Sequence, residues 1–239
     1  MRVAGMRDCL RIFAVVAVAL CEAIWSPPGW ANASSPQCGE SGPVPGPCNV
    51  IFFDGDSISA GLGASPDHNL DIQFMQALGL PERVYNVAQG GRPVFDCLKQ
   101  FDVNTAPLKD TRARATIFVF HAGDNDIARQ RNAMETYESF TRYVALVHAQ
   151  GWKLVVSTEI PRLDFAPAQE AELEDYNRRL VENAAGADAV VNLALDPRFA
   201  DLTQRRSSPI FGGDRIHPND AGYRILAEKL AEAVRPLLR

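Results

Sequence analysis

Beyond residue 48 the chain alternates short apolar runs with longer stretches whose apolar residues recur at helical spacing, and this alternation restricts the fold more than any other feature. The short runs are NVIFF (Asn49–Phe53), RVYNV (Arg83–Val87), TIFVF (Thr116–Phe120), KLVVS (Lys153–Ser157) and AVVNL (Ala189–Leu193). Brief runs rich in β-branched and aromatic residues read as strands. The intervening patterns, Leu70–Leu78, Ala133–Gln150, Ala168–Ala184 and Asp220 to about Leu237, read as amphipathic helices, and Gly151 stands where the second of these should stop. Strands alternating with helices imply a parallel sheet with crossover helices, and strands apolar on both faces require helices on each side. The expected fold is therefore α/β, with a central, mostly parallel five-stranded sheet over residues 49–239.

At 239 residues, 46% of them hydrophobic, the chain can bury one sizeable core. Its formal net charge of -5, with no basic cluster, excludes nucleic acid as the expected partner. The N-terminus reads as an export signal over residues 1–33: Arg2, Arg7 and Arg11 precede the apolar run IFAVVAVAL, and the small residues of ANA allow cleavage after Ala33. That run is too short to span a bilayer, which takes about 20 apolar residues, so no stable membrane insertion is expected after cleavage. A lipoprotein signal at Cys21 is the rival reading, weakened by the bulky Leu20 before it. Localisation is expected to be periplasmic or secreted, and the chain a monomer. A Pro/Gly-rich segment, 34–48, joins signal to domain. Export permits disulfides among Cys38, Cys48 and Cys97, and both Cys38–Cys48 and Cys48–Cys97 stand as pairings. The shorter loop would stabilise by about 2–3 kcal/mol in the chain-entropy model. Neither a C-x-x-C pair nor an H-E-x-x-H helix occurs, so no metal or other cofactor is expected.

In an open parallel sheet, ligands gather at the carboxyl ends of the strands. Four polar or glycine-rich loops should meet there: DGDS after the first strand, NVAQGG after the second, HAGDND after the third, and GGDRIHPNDAGY before the last helix. Taken alone, Ser57 in the first loop is ordinary turn chemistry. A serine hydroxyl attacks only when a base removes its proton and an acceptor orients that base. Asp214 and His217, three residues apart, offer that pair, although both types also cap helices. His68, His121 and His148 are weaker bases: His148 lies on a helix face, His121 packs under the third loop, and His68 falls in a polar loop. A developing oxyanion needs fixed donors. The Ser57 amide, the glycines of AQGGR and the Asn125 side chain can supply them.

The order Gly-Asp-Ser, Gly, Gly-x-Asn-Asp, Asp-x-x-His resembles the SGNH (GDSL-type) hydrolase family from about Asn49 to the C-terminus. The resemblance implies a three-layer α/β/α sandwich of flavodoxin-like type and a Ser57–His217–Asp214 triad. It also implies an oxyanion hole from Ser57, Gly91 and Asn125, and no metal. Gly91 is chosen over Gly90 because it lies five residues after Asn86, an offset frequent in the family. Two departures are Asp124, where many members have a second glycine, and Ile58 in place of leucine. Asp124 either disfavours the oxyanion or faces solvent and binds a sugar hydroxyl, and Arg92 and Arg162 are further candidates for contact with an acidic or sugar substrate. The G-x-S-x-G elbow of α/β-hydrolases is absent. The expected activity is hydrolysis of carboxylic esters, short-chain or acetyl, on a small molecule, glycan or lipid. An O-acyltransferase acting on a glycan and a catalytically silent carbohydrate-binding domain are the alternatives.

Overall fold

The computed structural model describes residues 48–238 apart from Pro81, Arg112 and Gln204. The expected signal segment and most of the Pro/Gly-rich segment lie outside the described residues. Five strands, β1 (Val50–Gly55), β2 (Arg83–Asn86), β3 (Thr116–His121), β4 (Lys153–Ser157) and β5 (Ala189–Val191), form one sheet in the order β2-β1-β3-β4-β5. Every pairing is parallel, with Val50 opposite both Arg83 and Thr116, Ile117 opposite Lys153, and Val155 opposite Ala189.

The alternation of side chains along the strands divides the core in two. Val50, Phe52, Phe118, Phe120, Leu154 and Val156 face one way, into a cluster completed by α2 (Val94–Gln100), α4 (Ala133–Ala149) and α5 (Pro167–Glu182). Ile51, Phe53, Ile117, Val119 and Val155 face the other way, against α1 (Leu70–Leu78) and α7 (Asp220–Val234). Two short helices, α3 (Asp124–Ala128) and α6 (Pro197–Ala200), sit in the loops after β3 and β5. The sheet is apolar on both faces because each face carries its own helical layer.

Local chemistry sets the helix ends. Asn132 and Glu135 form a reciprocal capping box at the start of α4, and Pro167 occupies the first turn of α5. Gly79 ends α1 in the left-handed region at φ 66°. The expected strands agree with the observed ones to within two residues at each end. The sequence reading missed α2, α3 and α6, all of seven residues or fewer. Cys48 is disulfide-bonded and Cys97 is a buried free thiol, so Cys48–Cys97 is not the pairing formed; Cys38 lies outside the described residues. No helix among the described residues is long and apolar enough to cross a membrane.

Because β1 lies between β2 and β3, the chain leaves it in one direction and later returns on the other side, which opens a crevice at the carboxyl ends of these strands.

Candidate active site

Ser57 stands two residues past β1, where backbone contacts fix its place. Gly55 adopts φ +134°, and a Cβ there would fall 1.9 Å from the His121 carbonyl oxygen, so only glycine lets β1 and β3 approach this closely. The next amide, Asp56 N–H, donates to that same carbonyl at 3.1 Å, and Ser59 Oγ donates to it at 3.3 Å. Asp56 Oδ1 accepts from the Ile58 amide at 2.9 Å and tightens the turn, while Ile58 plugs into the α1/α7 side of the core. Ser57 is left half-buried at the top of this turn.

His217 arrives from the far end of the chain on a loop that is tied at several points. Asn219 caps α7 by accepting from the Ala221 and Gly222 amides, and its own amide group donates to Pro209 O. Gly212 N–H donates to His217 O at 2.8 Å. Asp214 Oδ1 accepts from the backbone amides of Ile216 and His217, both at 3.0 Å. The loop after Ser57 is fastened to the same helix: the Ser65 amide and hydroxyl donate to Asp220, and Tyr223 OH donates to Leu62 O at 2.8 Å. Gly63 presses so close that a Cβ would lie 2.9 Å from His217 Cβ.

The two tied loops place three side chains in one file. His217 Nε2 lies 2.8 Å from Ser57 Oγ, and His217 Nδ1 lies 2.6 Å from Asp214 Oδ2. Burial pushes the Asp214 carboxyl up, but hydrogen bonds from the His217 ring and the two amides outweigh it and hold the group below the usual carboxylate range. Asp214 therefore stays ionised and orients the ring.

The expected oxyanion donors lie on the neighbouring loops. Val87 N–H donates to Phe53 O and Gln89 N–H to Gly55 O, extending the β2–β1 ladder until the two glycines run beside the serine. A Cβ at Gly90 would sit 3.8 Å from Ser57 Cβ, and Gly91 takes φ +72°. Asn125 lies in the first turn of α3, and its Nδ2 is shielded from solvent without a hydrogen-bond partner. A donor kept unpaired is what an anion-stabilising site requires.

Three expectations change. Arg92 does not face the substrate side: it is buried, its guanidinium held by Asp54, Gln100 Oε1, Gly55 O and Val87 O, with Tyr143 OH donating to Asp54 at 2.7 Å. Asp124 is also buried, so it does not reach solvent for a sugar hydroxyl. Arg162 Nη1 donates to Asp124 Oδ2 at 2.9 Å, forks onto Asp164 and stacks over Phe165. The extra carboxylate beside Asn125 is thus offset by a guanidinium, and that guanidinium is already engaged. Of the other histidines, His148 pairs with Asp188 on the surface of α4, and His68 lies beside Asp220.

Beneath Ser57 lies a group that the sequence reading did not assemble: Asp56, His121 and Glu159, all buried, with Asp124 beside them. Burial pushes the Asp56 and Glu159 carboxyls well above their ordinary values, reinforced at Asp56 by the charge of Asp124 and at Glu159 by Asp56 and then Asp124. Burial lowers His121 to about 4, only partly offset by Asp124. Asp126, which accepts from the Val94 amide at 2.7 Å, is raised by burial to about 6. One signal for Glu159 was present: an acid two residues past the fourth strand and directly before Ile-Pro.

A serine hydroxyl, an imidazole and a carboxylate in one file, at the loop edge of a parallel α/β sheet, define the class of serine-dependent hydrolases. Residues 53–225 match the GDSL-like lipase/acylhydrolase family, and the chain belongs to it; the protein is a carboxylic ester hydrolase. Among solved structures it is similar to TesA, at 20% identity and TM-score 0.64, covering 79% of this chain and 99% of that one. It is similar to the acetyl xylan esterase AlAXEase at 20% identity and TM-score 0.62, covering 78% and 99%. A third likeness is to the psychrotrophic esterase EstA from Pseudoalteromonas sp., at 16% identity and TM-score 0.60, covering 79% and 98%. At these identities the likenesses establish the fold. No curated protein matches the sequence.

Proposed function

We propose that the protein is an exported serine esterase that cleaves short-chain or acetyl esters through an acyl-serine intermediate. The observation that carries this reading is the hydrogen-bonded file Ser57 Oγ, His217 Nε2, His217 Nδ1, Asp214 Oδ2, with separations of 2.8 and 2.6 Å. Ser57 Oγ attacks the ester carbonyl as its proton passes to His217 Nε2, and Asp214 stabilises the imidazolium. Negative charge grows on the carbonyl oxygen, opposite the amides of Ser57 and Gly91 and the unpaired Asn125 side chain. His217 then protonates the departing alcohol. Water, activated by the same ring, attacks the acyl-serine and regenerates the hydroxyl.

Export is supported by the basic, apolar and small-residue succession at the N-terminus and by the bonded Cys48, since disulfides persist in oxidising compartments. A small acyl group is supported by where the apolar space lies. A hollow of about 520 Å³ lined by Pro161, Leu173, Leu195 and Leu202 includes none of Ser57, Asp214 or His217 in its walls. The loop beside Ser57 carries no long apolar insertion. The likeness to an acetyl xylan esterase points the same way.

The test is a series of p-nitrophenyl esters of increasing chain length, together with acetylated xylan, on the mature protein. The expected result is a kcat/KM highest for acetate or butyrate and falling with chain length, with a fluorophosphonate probe labelling Ser57. Preference for long chains would overturn the substrate class, and an unlabelled serine would overturn the mechanism.

A further inference from the structure

The buried group under the nucleophile contains more unsatisfied polar atoms than a folded core tolerates without compensation. Asp56 Oδ2, His121 Nε2, Asp124 Oδ1 and both Glu159 carboxylate oxygens are shielded from solvent and mostly face one another. The Asp56 carboxyl meets that of Asp124, the Asp124 amide points at Glu159, and His121 Nε2 lies 3.3 Å from Glu159 Oε2, none at full hydrogen-bond geometry. Native interiors leave only a few such atoms per hundred residues, and here five fall in one place. Among the described residues no lysine or arginine pairs with Asp56 or Glu159: Arg162 is taken by Asp124 and Asp164, Arg92 by Asp54, and Arg131 lies 3.5 Å from Asp126.

We propose that Asp56, His121 and Glu159 form a site for one first-row divalent cation. They come from the carboxyl ends of β1, β3 and β4, three strands adjacent in the sheet. One ligand atom from each lies within 4.8 Å of the others, and His121 Nε2 lies 3.3 Å from Glu159 Oε2. Bonds of roughly 2.0–2.2 Å set ligand atoms about 3 to 4.4 Å apart, so an ion fits after the widest pair closes by a few tenths of an ångström. His121 Nδ1 is 2.8 Å from Ser157 Oγ. In the proposed site that hydroxyl accepts from Nδ1–H and leaves the Nε2 lone pair for the metal, the usual outer-shell arrangement of a ligating histidine. Asn177 brackets the third ligand, accepting from Glu159 N at 2.7 Å and donating to Glu159 O at 3.0 Å. One imidazole with two carboxylates suits Zn²⁺ or Mn²⁺ rather than an all-oxygen calcium site. The charges of Asp56 and Glu159 would balance a dication, because Arg162 already offsets Asp124. The expectation of no metal came from contiguous ligand spacings, and residues 56, 121 and 159 present none. The ion would pin three strand ends and take no part in bond making, so the site is independent of the esterase reading.

The test needs no substrate. The mature protein is unfolded with chelator, refolded with Zn²⁺, with Mn²⁺ or with neither, desalted, and assayed for bound metal and melting temperature. One equivalent of metal should be retained by the protein refolded with either ion, with melting raised by roughly 5 °C or more over the metal-free sample. Glu159→Gln and His121→Asn should retain less than a tenth of that metal. Wild-type protein that retains no metal and melts at the same temperature in all three samples would overturn the proposal, without any variant having to fold. Variants that fold and bind as wild type does would overturn it equally.

Discussion

Two regions that meet at Ser57 solve opposite problems. The loop carrying Asp214 and His217 is partly exposed, yet its polar groups are nearly all paired: Asp214 alone accepts from two amides and a ring nitrogen. The group formed by Asp56, His121 and Glu159 is sealed from solvent, yet many of its polar atoms are unpaired. The first arrangement holds a geometry and leaves the serine hydroxyl free to react. The second stores unmet hydrogen-bonding capacity and needs a proton or a cation to complete it. Substitutions in the outer region should therefore cost rate, and substitutions in the buried support should cost stability.

Ser57→Ala and His217→Ala should break the outer file most completely. Hydrolysis of p-nitrophenyl acetate should fall about 10⁴-fold or more in each, with little change in melting temperature. Retention of most activity in either would remove that residue from the reaction. Arg92→Leu tests the buried side, because it strips Asp54 of its guanidinium and leaves an uncompensated carboxylate. We expect a loss of about 3–5 kcal/mol in denaturant unfolding. Unchanged stability there would mean that Tyr143 and the Gly55 amide together satisfy Asp54. Asn125→Ala removes one donor from the proposed anion site and should lower kcat by about 10²–10³, or roughly 2.7–4 kcal/mol, with KM little affected.

The smaller effects sharpen the contrast. Asn219→Ala deletes the cap of α7 and should cost about 1 kcal/mol of stability, and some rate because His217 lies two residues upstream. Asp196 is drawn below the usual carboxylate range by Arg198 and then Lys229, against the opposing effect of burial. A depressed carboxyl stabilises the fold above its unfolded pKa, near ~3.9, and that stability is lost as pH falls through the lower folded value. The gap in melting temperature between wild type and Asp196→Asn should thus be constant at neutral pH and narrow below about pH 4. A gap that widens in acid would contradict the ion pairing.

The sequence disclosed what repeats and hid what is assembled. Lys153–Ser157 was legible to the residue because a short apolar run between a glycine-ended helix and a Pro-containing loop has one reading. Helix α3 was not, since Gly-Asp-Asn-Asp is turn chemistry by composition, and the close packing of Gly123 on Tyr176 and the burial of Ile127 that accompany the helix appear only in the fold. Ser57, Asp214 and His217 were legible through the order of four loops. Arg92 was misjudged because a surface arginine and a buried one look alike until Asp54 and Tyr143 are seen to close on it. Glu159 and His121 were invisible as a pair, because adjacency across a sheet leaves no spacing along the chain.

The contact between Gly55 and the His121 carbonyl has a use for protein engineering. The turn carrying the Ser57 hydroxyl is fixed from below, by that contact, by Asp56 and by the buried Ile58, so loops that touch neither this turn nor the His217 loop can be varied without moving it. A library confined to such loops should change which acids and alcohols are accepted while leaving Ser57 and His217 where they are.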